Sequence, residues 1–385
     1  MAAGIVTGVA LGGLAVAAPA AGASQGPARS AATAHADTGT LRGTWRLLPK
    51  APIAELPPAF TLSSVWASTR MIIHTFTITE PVTGKTFSYE PAANGWMRLP
   101  GGPRSWLGQG DDAAVWTGRQ MLVFGLTAGA YTPSTNQWRP IKHPALPPSQ
   151  ITGWTGSKAV VWDQICCGTT VNTAEIYDVR ANTWHTTQSP LERRSGAMGA
   201  WTGRELVIAG GFSGFPSGGK VFRDGAAYNP ATGTWRKLPP MPQRRGGGTA
   251  VWDGKDVVFL GGTAPGSSQP SLRPMAYNPR ANRWRLLPVM QFRREGFAAV
   301  WTGRYILVWG GVSGRPGAWM IPPHGEAYNP ATSRWTALPA SPLQGREMAA
   351  AVWTGKRMII WGGYAPGRSG TAGYVNGAAF TPRTP

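Results

Sequence analysis

Four arginines recur at one fixed distance from a tryptophan, and their type and spacing could support chemistry. Each precedes a Trp by seven positions, at Arg194, Arg245, Arg294 and Arg346. Three of them directly follow another arginine, at Arg193, Arg244 and Arg293. A guanidinium group presents a planar fork of N–H donors that matches a carboxylate, sulfate or phosphate. The spacing therefore predicts either a binding site for an anion or a set of internal braces.

Acidic residues and one histidine accompany these arginines. Glu192, Glu295 and Glu347 lie beside them in the chain, and His324 lies in a long Gly- and Pro-rich segment. As internal partners, the three glutamates would neutralise the arginines, with the acidic pair at 111–112 as a further source of negative charge. In an anion-binding pocket, Glu295, Glu347 or His324 could instead transfer a proton. Both roles stay open at the level of sequence.

Other reactive constellations are not visible in the chain. It contains no Ser-His-Asp arrangement, no phosphate-binding glycine loop and no H-E-x-x-H motif. The two cysteines, Cys166 and Cys167, are neighbours, so a disulfide framework is excluded. No further Cys or His stands nearby at the spacing that a metal would need. We therefore expect neither a metal nor a cofactor.

A repeat in the sequence predicts the strands that position these residues. An aromatic residue precedes a tryptophan by seven positions six times, at Tyr89/Trp96, Tyr131/Trp138, Tyr177/Trp184, Tyr228/Trp235, Tyr277/Trp284 and Tyr328/Trp335. A seventh aromatic, Phe380, has no such partner ahead of it. Upstream of each aromatic lies a further tryptophan, at Trp66, Trp116, Trp154, Trp201, Trp252, Trp301 and Trp353. The chain therefore contains seven modules.

Each module divides into four short strands joined by turns. In the fourth, "GAMGAW" leads into Thr202-Gly203, which predicts a two-residue hairpin turn, and "RELVIAGG" is the return strand. "GAAY" and "TWRKLP" then form a second pair around the "NPATG" turn. The last four modules carry Gly-Gly nine and ten residues after the first tryptophan, where a crowded strand end favours a residue without a side chain.

This order of a strand, Gly-Gly and a spaced Tyr and Trp resembles the kelch repeat over residues 41–385. Kelch modules form β-propellers, so the resemblance implies an all-β, seven-bladed kelch-type β-propeller. "TWRLLP" at 44–49 matches "TWRKLP" at 234–239. We expect this N-terminal strand to complete the last blade, with Trp45 taking the place of the missing tryptophan after Phe380. Closure by both chain ends would remove two exposed sheet edges.

In a propeller of this strand order, one end of the ring carries the loops between the second and third strands and the connections between blades. We call this end the loop face, and the opposite end, with the tight turns, the turn face. The recurring arginines and the long segments 212–224, 263–274, 312–325 and 364–376 all belong to the loop face. Blades one to three lack the arginine, so the positive charge should be lopsided.

The net charge and the N-terminal residues indicate the kind of partner and the location of the protein. Lys and Arg number 37 against 17 Asp and Glu, a formal net charge of +20 that favours anionic partners. Residues 1–23 are typical of an export signal and 24–40 of a flexible linker, which leaves 41–385 for the propeller. We expect a secreted or cell-wall-associated monomer, with membrane contact only if the N-terminal segment is not cleaved. Tryptophans in structural register argue against nucleic acid.

Two functions remain open. The first is a binding module whose arginine-rich face engages an acidic glycan, an anionic cell-wall polymer or a protein. The second is an enzyme on acidic sugars, similar to the bacterial kelch epimerase of sialic acid, although that family usually has six blades. Galactose oxidase is similar in having seven such blades, but the histidines, tyrosines and cysteine that its copper chemistry needs are not matched here. Since propellers host both classes, the fold cannot decide between them.

Overall fold

The computed structural model describes the propeller and a short N-terminal segment. The described residues are 5–6, 39–56, 60–77, 84–102, 113–125, 128–142, 151–162, 172–213, 219–267, 269–315, 318–322, 324–365 and 373–383. Across these ranges the chain forms strands and turns, and no helix there is long and apolar enough to cross a membrane. Apart from residues 5–6, the segment predicted to be an export signal lies outside the described residues, as do most of the predicted linker, Cys166 and Cys167.

Seven antiparallel sheets form the blades, and four strands of each run in order from the axis of the ring to its outside. The first strands are Phe60–Ala67, Ala113–Trp116, Ile151–Trp154, Met198–Trp201, Gly246–Trp252, Glu295–Trp301 and Ala350–Trp353. The second strands are Arg70–Thr77, Met121–Phe124, Lys158–Trp162, Leu206–Ala209, Val257–Thr263, Ile306–Arg315 and Met358–Trp361.

The third strands carry the aromatic of each module, and the fourth, outer strands carry its partner tryptophan. The third strands are Lys85–Glu90, Ala128–Thr132, Thr173–Asp178, Gly225–Asn229, Met275–Asn278, Glu326–Asn329 and Gly377–Pro382. The outer strands of blades one to seven are Gly95–Leu99, Gln137–Ile141, Thr183–Gln188, Thr234–Lys237, Arg283–Leu286, Arg334–Ala337 and Gly43–Leu47. Two short strands, Ala318–Met320 and Ile5–Val6, add to the sheet of blade six.

The first strands surround the axis and make the ring continuous. Each contacts the first strands of both neighbouring blades, and the first strand of blade seven contacts that of blade one. A single four-stranded sheet has two apolar faces, which only its neighbours can cover. Buried residues from adjacent blades accordingly form shared clusters, one of which joins blades seven and one. The prediction of an all-β, seven-bladed propeller is confirmed.

Blade seven is completed by the opposite end of the chain, as the sequence predicted. Gly43–Leu47 pairs antiparallel with Gly377–Pro382, and Trp45 lies directly opposite Phe380. Their ring centroids are 5.0 Å apart. The corresponding distance in the internal blades is 5.1 Å for Tyr89 and Trp96. Trp45 therefore occupies the same position as the tryptophan of an ordinary blade.

One hydrogen bond repeats between neighbouring blades. The indole Nε1 of the outer-strand tryptophan donates to a backbone carbonyl that follows the outer strand of the preceding blade. The pairs are Trp45–Pro339, Trp96–Pro49, Trp138–Pro100, Trp184–Lys142, Trp284–Pro239 and Trp335–Pro288, at 2.7–3.0 Å. Trp235 donates to the Thr187 hydroxyl instead. Each of these indole N–H groups thus finds an acceptor on the preceding blade.

The turns depart from the sequence prediction in one respect. Trp201 pairs with Leu206, so the first hairpin of blade four has a four-residue connection, and the prediction of a two-residue Thr202-Gly203 turn was wrong. The Thr202 hydroxyl accepts from the backbone N–H of Glu205, and the Thr202 N–H donates to the Glu205 carbonyl. Gly203 has a φ of 86°, which closes this turn in the left-handed region.

Candidate functional site

The four recurring arginines are fully buried at the loop face. Arg194, Arg245, Arg294 and Arg346 each have 0% of their surface exposed. In every case Nη1 donates to the carbonyl of the first glycine of the Gly-Gly pair in the same blade. These bonds are Arg194–Gly210 at 3.1 Å, Arg245–Gly261 at 3.3 Å, Arg294–Gly310 at 2.8 Å and Arg346–Gly362 at 3.0 Å. The guanidinium therefore ties the start of the first strand to the end of the second.

A second acceptor comes from the residue four positions before the third-strand aromatic. Arg194 donates to the Asp224 carboxylate at 2.8 and 3.0 Å, and Arg346 donates to the Asn376 side chain at 2.9 Å. Arg245 donates to the Arg273 carbonyl at 2.7 Å, and Arg294 donates to the His324 carbonyl. The loop between the second and third strands is thereby held against the entry of the blade.

The backbone of the same arginines reaches the preceding blade. The second glycine of blade four, Gly211, donates its N–H to the Arg245 carbonyl at 2.9 Å, and Gly311 of blade six donates to Arg346 at 2.8 Å. A Cβ on Gly210 would lie 2.1 Å from the Arg245 carbonyl oxygen, which no side chain could tolerate. Arg245 and Arg346 thus each join two blades. Of the two roles that the sequence left open, these contacts favour internal bracing for Arg194, Arg245, Arg294 and Arg346.

Arg194 and Arg294 pair with carboxylates other than the glutamates that adjoin the arginines in the sequence. The Asp224 carboxylate pairs with Arg194, and the fully buried Glu326 carboxylate pairs with Arg294 at 3.2 Å. Glu326 also accepts the backbone N–H groups of Gln291 and Phe292, at 2.7 and 3.3 Å. Glu192 offers Arg194 only its backbone carbonyl, since its carboxylate pairs with Lys220. The expectation that Glu192 is the neutralising carboxylate was wrong. The acidic pair at 111–112 lies outside the described residues.

Arg245 and Arg346 have neutral acceptors, and Arg346 also lies against an aromatic ring. Arg245 donates to the side-chain oxygen of Gln243, and the Arg346 guanidinium stands 4.2 Å from the centre of the Tyr374 ring. Burial lowers the pKa of each of these two arginines to about 10. Both guanidinium groups therefore remain charged at neutral pH. Carbonyl dipoles stabilise the charge of each, and the Tyr374 ring face adds to this at Arg346.

The arginines that precede these braces are more accessible. Arg193 and Arg244 are exposed, and Arg293 is half-buried. Arg244 donates to the Val221 carbonyl at 3.2 Å, and Arg293 donates to the Pro270 carbonyl at 2.6 Å. Each contact uses one of the five N–H donors of a guanidinium, so the others can serve a ligand.

Two of these accessible arginines share a depression of about 390 Å³ at the loop face. Its lining residues are Gln243, Arg244, Ala264, Pro265, Ser267, Gln269, Ser271 and Arg293. None of the described residues that line it carries a carboxylate. Two guanidinium groups, two hydroxyls and two amides around a concave space form an arrangement suited to an oxyanion. Arg193 is not among the residues that line this space.

The three proton-transfer candidates are dispersed around blades six and seven. Glu295 begins the first strand of blade six, and burial raises the pKa of its carboxyl above the ordinary value. His324 is half-buried, with Nδ1 donating to the Gly325 carbonyl at 3.0 Å and its ring against Phe292. Glu347 is buried, and its backbone pairs with Tyr364. None of the three lines the 390 Å³ depression.

Asp224, Glu326 and Asn376 are functional residues that the sequence reasoning missed. Asp224 and Asn376 stand four residues before Tyr228 and Phe380, a register position that the repeat already defines. Reading across the modules at that position would have shown polar residues in blades four to seven. Glu326 stands two before Tyr328, a position where blade three also has a glutamate, Glu175, but the other five modules have Phe, Gly, Ala or Met, so the repeat gave no consistent signal.

These observations define a class first: a seven-bladed β-propeller with a braced, arginine-rich loop face. A Kelch motif profile matches residues 193–242, which extend from the entry of blade four to just beyond its outer strand. An F-box/kelch-repeat protein of Arabidopsis thaliana is 25% identical over 167 residues. That alignment spans 41% of this chain and 40% of the relative's own length. The motif match, the relative and the seven-bladed fold together support a kelch-repeat β-propeller.

A solved structure gives the same fold. It is described as a novel fungal alcohol oxidase with catalytic diversity among the AA5 family, in complex with copper. The two structures superpose with a TM-score of 0.62 at 15% identity, over 88% of this chain and 76% of that chain. At this identity the likeness concerns the fold alone. Kelch propellers generally mediate interactions, so the fold suggests a binding or interaction module.

Proposed function

We propose that the propeller binds an anionic ligand through its loop face, and that the ligand is an acidic glycan or an anionic cell-wall polymer. The single observation that carries this proposal is the depression that Arg244 and Arg293 share, with no carboxylate among its described lining residues. A net charge of +20 would draw such polymers toward the molecule before any specific contact forms.

The braced arginines support this proposal indirectly. They hold the entries of blades four to seven and the adjacent long loops in one position, so Arg244 and Arg293 project from a rigid base. A binding site on a rigid scaffold loses less entropy when its ligand arrives. In blades four to six, the pairing of a buried, structural arginine with a more accessible one thus lets one short segment serve both stability and binding.

The test compares retention on immobilised polygalacturonate, heparin and a neutral glucan. The double variant Arg244→Ala/Arg293→Ala should bind the acidic polymers about tenfold or more weakly, because two charge-assisted contacts are lost. The matched control is Arg204→Ala/Arg304→Ala, which removes two exposed arginines from turn-face hairpins. Retention should fall as salt rises. Equal losses in both double variants would show attraction by net charge alone and contradict a site.

The location of the protein is part of the same proposal. An exported monomer, freed of residues 1–23 and tethered by the linker 24–40, would meet such polymers outside the cell. Contact with a membrane would require an uncleaved N-terminal segment. A protein partner at the same face is the alternative occupant, and exposed Met320 and Ile321 on the long loop of blade six would suit it.

An enzyme on acidic sugars is the second candidate, and Glu295 favours it. Burial raises the pKa of its carboxyl, which brings the group closer to the range of a general acid at neutral pH. Incubation with sialic and uronic acids, followed by product analysis, tests this function. Product formation that Glu295→Gln abolishes would support catalysis, whereas binding without turnover would support the binding module.

A further inference from the structure

A second cleft, of about 450 Å³, opens on the turn face between blades six and seven. Its lining residues are Gly39, Thr40, Leu41, Arg42, Tyr305, Asn329, Thr332, Arg334, Thr336 and Arg383. They come from the N-terminal segment, from two turns of blade six and from the end of the last third strand. No residue of this cleft belongs to the loop-face depression, so the two spaces are separate.

The cleft follows from the way in which blade seven is completed. In blade six a covalent turn joins Asn329 to Arg334, which lie opposite each other at the ends of the third and outer strands. In blade seven the third and outer strands come from opposite ends of the chain, so no turn joins them. A hydrogen bond from the Arg383 N–H to the Arg42 carbonyl, at 2.8 Å, spans that position instead.

The segment before the outer strand of blade seven forms one wall of the cleft. The Leu41 N–H donates to the Ala337 carbonyl at 2.8 Å, and Thr40 bridges Ala337 in parallel. This segment therefore runs beside the outer strand of blade six. Leu41 and Tyr305 pack against the apolar cluster between blades six and seven, and so they give the cleft an apolar floor.

The rim of the cleft is strongly positive. Arg42, Arg334 and Arg383 are all exposed, and none of the described lining residues carries a carboxylate. Like charges that line one cleft repel one another, and an anion bound in the cleft would relieve that repulsion. Thr332 and Thr336 add hydroxyl groups, and the volume lies in the range of pockets that hold small organic ligands rather than a lone ion.

We propose that this cleft is a second binding site, for a small ligand that carries two or more sulfate, phosphate or carboxylate groups on a ring-containing body. The arginines bind the charged groups, and Leu41 and Tyr305 contact the ring. Because the ligand touches blade six and both chain ends at once, it stabilises the closure of the ring. This inference does not depend on the function of the loop face.

The test is calorimetric titration and thermal unfolding of the full chain with a heparin-derived sulfated disaccharide. Arg42→Ala/Arg334→Ala should weaken binding about tenfold or more through the loss of two charge-assisted contacts. Arg283→Ala is the matched control, because Arg283 holds in blade five the register position that Arg334 holds in blade six. It should bind as the unmodified protein does, and so should the loop-face variant Arg244→Ala/Arg293→Ala.

Three results would overturn the assignment. The first is that the sulfated disaccharide neither binds the unmodified chain nor raises its unfolding temperature. The second is an equal loss of affinity in Arg283→Ala. The third is inorganic pyrophosphate binding as tightly as the disaccharide, which would exclude a role for the ring.

Hydrogen exchange supplies a readout that the loop-face site would not produce. The disaccharide should slow exchange of the amides in Gly43–Leu47 and Gly377–Pro382, the strands that close the ring. Protection confined to loop-face residues around Arg244 and Arg293 would contradict the cleft and support the other site instead.

Discussion

Arg294 and Glu326 form an ion pair in which both side chains are buried, at 0% and 1% exposure. We expect Arg294→Met to lower the free energy of unfolding by about 3–5 kcal/mol, since it leaves a carboxylate buried without its partner. Urea unfolding measures this change. The double variant Arg294→Met/Glu326→Gln should recover much of the loss. Arg293→Ala, one residue away and accessible, is the control and should change stability little. Similar small effects for Arg293→Ala and Arg294→Met would contradict the bracing role.

The Asp224–Arg194 pair makes a prediction about pH. Partial burial tends to raise the pKa of Asp224, but the hydrogen bonds and charge of Arg194 outweigh it and hold that pKa below its ordinary value. The stabilisation is therefore present above the pKa of the unfolded carboxyl and is lost as pH falls through the lower, folded pKa. Because the Asp224 side chain is 48% exposed, solvent screening limits the effect of Asp224→Asn to about 1 kcal/mol at neutral pH.

The gap in unfolding free energy between Asp224→Asn and the unmodified protein should narrow as pH falls from 7 toward about 3, because the folded protein increasingly takes up a proton at Asp224. Glu192→Gln is the control, since its pair with Lys220 is exposed and contributes little. A constant gap across the pH range would show that Asp224 acts without its charge.

The sequence predicted which arginines matter but not what they contact. Their distance from a tryptophan was visible, because a repeat displays its own register. Their acceptors are largely backbone carbonyls, such as Gly210 and Gly310, and any residue supplies a carbonyl. Only a three-dimensional path for the chain shows which carbonyls are near. For the same reason the cleft around Arg42 and Arg383 could not be anticipated, although closure by the N-terminal strand was.

At the scale of the element, the turn between the third and outer strands depends on one asparagine in several blades. In blade one Asn94 has a φ of 48°, and its Oδ1 accepts from the Tyr89 hydroxyl at 2.9 Å. Asn136, Asn182 and Asn282 repeat this contact in blades two, three and five. Asparagine tolerates the left-handed region better than most residues, and here it also satisfies a mostly buried tyrosine.

We therefore expect Asn94→Ala to lower the free energy of unfolding by about 1–2 kcal/mol, through a strained φ and a lost acceptor. Asn94→Gly keeps the permitted φ and should cost about half as much. Thermal unfolding of the two variants separates these contributions. In blade four the equivalent position is already a glycine, Gly233, with a φ of 68°. Equal losses in Asn94→Ala and Asn94→Gly would assign the whole effect to the hydrogen bond.

The strands themselves were predictable because the aromatic register is a packing requirement. A Tyr and a Trp seven residues apart can lie opposite each other only if a tight turn joins two antiparallel strands, as Tyr228 and Trp235 do. The hairpin after Trp201 was less predictable. Its Thr202 hydroxyl closes a four-residue turn, and the dipeptide Thr-Gly alone does not reveal that length.

For the whole molecule, the seventh interface is built like the other six. Trp45 donates to the Pro339 carbonyl at 3.0 Å, and Trp96 of blade one donates to Pro49, which follows the N-terminal strand. The strand Gly43–Leu47 thus provides one tryptophan toward blade six and one carbonyl toward blade one. Removing it would expose the edge of blade seven and open two contacts at once.

We predict that deleting residues 41–50 lowers the unfolding temperature of the entire ring, because a closed propeller has no independent terminal blade. The single substitution Trp45→Ala should lower the free energy of unfolding by about 3–5 kcal/mol, in the range measured for large aromatic truncations in cores. The matched control is Trp335→Ala, which makes the same change at the preceding interface, where Trp335 donates to Pro288. Differential scanning calorimetry should show a single transition shifted by similar amounts in both variants. Unchanged unfolding of the deletion, or a Trp45→Ala effect far below that of Trp335→Ala, would mean that the ring does not depend on its borrowed strand.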